Sequence, residues 1–293
     1  REQPTISIDA DGAQVIDDAL TLERMDDGSW QLGIHVADVS YYVPADSPID
    51  QEAHRRGTSV YLADSPVPLL PPPLSTSLCA LLADKERLTI SVIVSLSPEG
   101  EVLSYEVQPS VICNDHQLNY HQAQAVLARE DKAALEALSY KKRDLTKFKD
   151  SFELLDQLFE VSELLQQQRN RRGSFDLNLP DHVFPEEAGE ELSRYLSPKF
   201  QHDDEGGLGV MVVSDLLPAR RIVTECMLLA NQLVAKHLKA LEVPAIYRLH
   251  GTPDPGDVQE LIKLANNMGL NLQLESEAAV LPKDYLGFVE QFS

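Results

Sequence analysis

Asp9, Asp11, Asp17 and Asp18 fall within the ten residues DADGAQVIDD, with no lysine or arginine among them. Carboxylates this close repel and raise one another's pKa unless a cation intervenes. Three readings of the stretch compete. In one it is a solvated acidic loop whose aspartates form turns and caps. In the second it is a calcium loop, but an EF-hand needs glycine sixth and glutamate twelfth. Counted from Asp9, glycine comes fourth and the twelfth residue is Leu20. In the third it is a magnesium site for phosphoryl chemistry, in which a few carboxylates hold cations that also take phosphate oxygens. Asp17 and Asp18 are adjacent and would face opposite sides of a regular strand. Both reach one site only if the backbone there is irregular, which Gly12 permits.

The elements around the loop can be read from periodicity. Residues 5–8 (TISI) form a short strand that feeds it. A hairpin follows, turning at Asp27-Gly28, with Trp30, Leu32, Ile34 and Val36 alternating on the return strand. Residues 89–112 predict a second hairpin, with Ile90, Val92, Val94 and Leu96 on one face and a turn at Pro98-Glu99-Gly100. SPVPLLPPPLS can be neither regular helix nor central strand, because proline lacks a donor and fixes φ, so it predicts a rigid surface crossing. The second half turns helical. Phe148, Phe152, Leu155, Phe159 and Leu165 mark one helix that Gly173 ends. Residues 219–241 predict another, with Ile222, Met227, Ala230, Val234 and Leu238 toward the core. A third runs from Asp254-Pro255 to Gly269. EEAGEE (186–191) and QHDDEGG (201–207) read as exposed acidic loops. Strands followed by helices imply an α+β fold, with no internal repeat.

Composition narrows the field. A chain of 293 residues, 43% of them hydrophobic, can bury a sizeable core. The formal net charge of −22 counts against a generic polyanion binder, since phosphate contacts need clustered lysine and arginine. Cys79, Cys113 and Cys226 match no zinc or CxxC spacing and suggest buried thiols in a reducing compartment. No apolar run is long enough to span a bilayer, so no membrane partner is expected.

Beyond the loop come LGIHVADVSYYV, SPIDQEAHRRGTSVYLADSPVPLLPPPLSTSLCALL, DKERLTISVIVSL, RRGSFDLNLPD, RRIVTECMLLANQLVAKH and IYRLHGTPDP. In this order they resemble the RNB catalytic domain of the ribonuclease II / ribonuclease R family. That family shows a D-P-x-x-A-x-D-x-D-D-A type loop, then H-I-A-D-V, R-G-x-S-x-Y-L, P-M-L-P, R-G-A-x-D and E-x-M-x-x-A-N. The likeness runs from about residue 5 to 270, and so many ordered motifs are specific together. It implies a mixed, mainly antiparallel sheet with packed helices. It also implies a cytoplasmic, monomeric 3′-to-5′ exoribonuclease. Such an enzyme hydrolyses single-stranded RNA with Mg²⁺, releasing nucleoside 5′-monophosphates.

The resemblance assigns Asp9, Asp17 and Asp18 to the metal site, Asp17 being the most directly catalytic. It assigns Tyr61 and Tyr120 to base stacking near the RNA 3′ end, and Glu225 to the terminal nucleotide. Tyrosines here could instead be half-buried core, and Glu225 could pair with Arg221 one turn earlier. His35, Asp38 and His250 are expected to orient neighbouring groups rather than ligate. The basic runs at 55–56, 141–143 and 169–172 read as solvated helix faces. Two departures stand out. The family's further loop aspartate is replaced by Val15, which would strip water from the site beside Asp17 and impair it. The family's G-H-x-x-L-G and R-R-Y-P-D type segments, with a catalytic arginine, do not follow. Residues 1–293 are therefore expected to be an RNB-like domain truncated at the C-terminus, without the family's cold-shock and S1 domains. The alternative is a catalytically impaired member that binds RNA or a protein without cutting.

Overall fold

The computed structural model describes residues 3–61, 66–174, 217–249, 251–270 and 280–286, with the backbone of four two-residue strands between 182 and 213. Both expected hairpins form. In chain order the strands are β1 (Thr5–Asp9), β2 (Asp18–Arg24), β3 (Trp30–Ala37), β4 (Val60–Tyr61), β5 (Pro66–Val67), β6 (Glu86–Leu96), β7 (Val102–Cys113) and β8 (His116–Asn119). Six of them make one sheet in the order β7-β6-β3-β2-β1-β8. All pairings in it are antiparallel except β1 with β8, which run parallel in the register Ile6↔His116 to Asp9↔Asn119. Gly28 and Gly100 close the hairpins with φ of 83° and 80°, a backbone region that costs glycine little. β4 and β5 pair with each other, so the proline-rich crossing carries a short ladder and then a single π turn at Leu74–Leu78.

Alternation gives the sheet two different faces. Ile6, Ile8, Leu20, Leu22, Leu32, Ile34, Val92, Val94 and Leu118 form one of them, all buried in a single apolar cluster. The helices that cover it are α3 (Tyr120–Leu127), α5 (Phe152–Arg171) and α6 (Arg220–Ala240); the described residues also form α1 (Val39–Tyr42), α2 (Pro48–Arg56), α4 (Lys132–Ala137) and α7 (Pro255–Asn267). At the centre of the other face lie buried polar residues, among them Ser7, Thr21, His35, Thr89 and Ser91. His35 Nδ1 lies 2.6 Å from Ser91 Oγ, and its Nε2 3.1 Å from Thr21 Oγ1. The imidazole reaches Thr21 by lying over Gly33. A Cβ there would collide with the threonine hydroxyl and stand 2.7 Å from His35 Nε2.

The expected helices appear with shifted margins. Phe148 sits in a 3₁₀ segment (Lys142–Ser151) before α5, and Gly173 (φ 94°) follows the helix end. α7 begins at its Asp254 cap, and Gly269 (φ 77°) follows it. On α6 the buried stripe is Ile222, Glu225, Cys226, Leu229, Ala230 and Leu233. Met227, Val234 and Leu238, expected toward the core, are only half-buried, a step round the helix from that stripe. The acidic loops expected at 186–191 and 201–207 lie outside the described residues, apart from the backbone pairing of Gln201–His202 with Leu208–Gly209.

Candidate metal centre

Asp9 ends β1 and Asp18 begins β2, neighbouring antiparallel strands, so the sheet brings both carboxylates to one edge of the β1–β2 connection. The connection itself has no regular secondary structure, as two adjacent aspartates serving one site require. Ile16 anchors it. Its side chain is fully buried beside Ala19 and Leu81, and its carbonyl accepts from Leu81 N at 2.8 Å. Asn114 holds the Leu81 segment to β1, donating through Nδ2 to Leu81 O and Ser7 Oγ at 2.7 and 3.0 Å. Ala37 N donates to Asp17 O at 2.9 Å, which fixes the loop's exit.

One carboxylate oxygen from each of Asp9, Asp17 and Asp18 lies within 4.8 Å of the others. Asp17 is exposed and the other two are half-buried. Burial, reinforced by the neighbouring aspartates, pushes Asp9 and Asp18 up to about 7. Oδ2 of each is buried without a hydrogen-bond partner among the described residues. Three carboxylates with two orphaned buried oxygens fit a hard divalent cation with oxygen ligands.

The helices complete the surroundings. Tyr120 opens α3, and the Arg220 guanidinium lies 5.0 Å from its ring centroid. Burial pushes the Tyr120 phenol up, Arg220 opposes, and Asp18, Asp9 and Asp17 add to the rise, so phenol and carboxylates share one electrostatic environment. Gln124 moors the start of α6, accepting from Ala219 N through Oε1 at 2.9 Å. Burial likewise raises the Cys226 thiol, with Asp18 and Glu225 contributing.

The other expected residues divide. Glu225 is 4% exposed and pairs with Arg169 of α5 at 2.7 Å, not with Arg221, which reaches Glu163 at 3.3 Å. Arg169 is thus no solvated helix-face charge, as its run in the sequence suggested. Arg56 and Lys142 do lie at the surface with acidic partners. His35 is pushed down to about 4 by burial and stays neutral between its two hydroxyls, and Asp38 caps α1 by accepting from Tyr41 N at 3.2 Å. Asp11 stands apart from the trio and accepts from Asn119 Nδ2 at 2.8 Å. Val15 is 46% exposed, so it does not strip water from the site; the raised carboxyls owe their shift to their own burial. The Tyr61 side chain and His250 lie outside the described residues.

The raised carboxyls predict a pH signature. Asp9 and Asp18 bind protons more tightly in the folded chain than at their ordinary 3.8, so folding takes up protons between about pH 4 and 7. Cation-free stability therefore falls as pH rises through that window. A divalent cation displaces those protons, so the rise in Tm on adding Mg²⁺ should be small near pH 5 and largest near pH 8. Differential scanning fluorimetry with EDTA or Mg²⁺ measures it, and a Mg²⁺ shift that ignores pH would count against this site.

Comparison with known proteins adds a family signal. An RNB domain family model matches residues 1–289. Ribonuclease R 1 of Lactococcus lactis is 34% identical over 274 residues, covering 93% of this chain and 30% of the relative. Ribonuclease R of Thermotoga maritima is 34% identical over 275 residues, covering 92% of this chain and 34% of the relative. The chain thus spans about a third of the length of these curated relatives. Among solved structures, Mycoplasma genitalium RNase R in complex with ribose-methylated single-stranded RNA superposes with a TM-score of 0.80 at 22% identity, covering 99% of this chain and 41% of that one. Yeast Ssd1, a pseudonuclease, superposes at 0.67 with 20% identity, covering 94% and 30%. The mixed, mainly antiparallel sheet with packed helices is the fold these structures share.

Proposed function

Because the chain belongs to the RNB family, we propose that it forms the catalytic part of a Mg²⁺-dependent 3′-to-5′ exoribonuclease that hydrolyses single-stranded RNA to nucleoside 5′-monophosphates. The observation that carries this reading is the Asp9, Asp17 and Asp18 cluster with its two orphaned buried oxygens. When bound, a divalent cation supplies charge stabilisation to the phosphoryl oxygens during displacement. Asp9 and Asp18, the half-buried members, would hold it together with Asp17, whose exposed carboxylate leaves the site open to a phosphodiester arriving from solvent. The three unpaired cysteines accord with a reducing cytoplasm. The test is decay of uniformly labelled poly(A) by the longest form the gene encodes, with Mg²⁺ and with EDTA. Mg²⁺-dependent release of mononucleotides supports the proposal, and decay that survives EDTA sinks it.

Tyr61 and Tyr120 are assigned to stacking on RNA bases, and Glu225 to the terminal nucleotide in company with Arg169, its partner at 2.7 Å. Arg220 already lies over the Tyr120 ring. A base there shares the platform with a guanidinium, an arrangement suited to sequence-tolerant binding. Tyr120→Ala is expected to weaken poly(A) binding by about 1 kcal/mol, the low end for a stacking residue, and to change the length of the final product. Fluorescence anisotropy and product gels measure both, and wild-type affinity with a wild-type end product would remove the assignment.

Val15 favours a second reading, a member that binds RNA but cuts poorly. The same fold carries yeast Ssd1, a pseudonuclease. RNA binding without Mg²⁺-dependent decay would distinguish it.

A further inference from the structure

The acidic loop leaves β1 at Asp9 and is next anchored at Ile16. Between these points it turns sharply, with Ala13 N donating to Ala10 O at 3.2 Å and Gly12 at φ 73°. Among the described residues, residues 10–17 make a single side-chain hydrogen bond, from Asn119 Nδ2 to Asp11 Oδ1 at 2.8 Å. Asn119 stands where three parts of the site meet. Its backbone pairs with Asp9 in the parallel β1–β8 register. Its Oδ1 accepts from Gln122 N at 2.7 Å while Gln122 Oε1 accepts from its N at 2.9 Å, a capping box that starts α3. The first residue of that helix is Tyr120, under Arg220.

We propose that Asn119 is a positioning residue, whose bond to Asp11 ties the cation-holding loop to the strand that carries Asp9 and the helix that presents Tyr120. This inference rests on the metal reading of the aspartate cluster. Asn119 need touch neither cation nor RNA. It restricts the loop before a cation arrives, so less ordering remains to be done on binding. The side chain divides the work: Oδ1 serves the helix cap and Nδ2 serves the loop. A serine can keep the cap and lose the latch, because serine is as good an N-cap as asparagine.

The test is Mg²⁺ titration calorimetry, without RNA, on wild type, Asn119→Ser, Asp11→Ala and the double variant, with Tm recorded for each. Asn119→Ser is expected to weaken Mg²⁺ binding about three- to tenfold, the worth of one hydrogen bond, at an unchanged Tm. In the Asp11→Ala background it should weaken binding no further, since the latch is already gone. Should Asn119→Ser lower Tm, Asn119→Thr, also able to cap, is read against the same outcomes. Wild-type Mg²⁺ affinity in the Asn119 variant overturns the inference, and so does an equal loss with and without Asp11. Wild-type protein that binds no Mg²⁺ overturns the metal reading and this inference with it.

Discussion

Asp17→Asn is expected to lower RNA cleavage by about 10²–10³-fold or more while leaving RNA affinity near wild type. The replacement is isosteric and removes one unit of negative charge from the exposed corner of the trio. It leaves β1, β2 and Tyr120 untouched, so the proposed stacking on RNA should persist. Stability should move the other way. Asp17 is one of the neighbours that raise Asp9 and Asp18, so neutralising it relieves repulsion in the cation-free chain. The cation-free Tm should therefore hold or rise slightly as activity collapses, the pattern of a residue kept for function at some cost in stability. Mononucleotide release, anisotropy and a melting curve on the same preparation read all three. Undiminished release would end the assignment of Asp17, and a large fall in Tm would mean that the lost activity reports unfolding.

Much of this arrangement is legible in the sequence because short-range chemistry specifies it. The Asp27-Gly28 turn and the alternation through Trp30, Leu32 and Ile34 are local signals, and both strands of the hairpin follow them. α2 carries equally local signals, the Ser47 cap, Pro48 at its start and Gly57 (φ 70°) after its end, yet it buries none of its residues and so shows no apolar stripe. β8 is harder to see. Its parallel pairing with β1 joins residues 110 apart, Ile6 with His116, and no local pattern announces such a contact. The sheet's second face deceives for another reason. Thr21, His35, Thr89 and Ser91 are polar types that alternation alone gives no reason to bury, but they satisfy one another and so can be buried. α6 misleads similarly: Glu225 sits in the buried stripe because Arg169, distant in sequence, neutralises it. The three aspartates were legible as types and spacing. Their convergence depends on Ile16 and Leu81, which no motif marks.

Val15 is where sequence and family part, and the structure changes the argument about it. The sequence alone suggested a valine that dries the site. Its side chain is instead 46% exposed, while Ile16 is buried and Asp17 exposed again. Residues 15 and 17 are thus both exposed, on either side of the buried Ile16, in a segment without regular secondary structure. A carboxylate at 15 would stand exposed two residues from Asp17, where it is free to serve a cation or the waters around it. Valine offers no such oxygen, and losing a ligand's supporting group costs about 10–100-fold in metal affinity or activity. Val15→Asp is accordingly expected to tighten Mg²⁺ binding and raise cleavage by about 10–100-fold. It should also lower cation-free stability at neutral pH, because a further negative charge joins Asp9, Asp17 and Asp18 with nothing to neutralise it. The gain in affinity and the loss in cation-free Tm have one cause, and together they separate a metal effect from a general improvement in folding. The measurement is RNA decay against Mg²⁺ concentration for both versions in the longest form the gene encodes, with melting curves in EDTA. If the valine form needs no more Mg²⁺ and cuts no slower than Val15→Asp, the valine is a neutral replacement, and the reading of an impaired nuclease loses the residue that supports it.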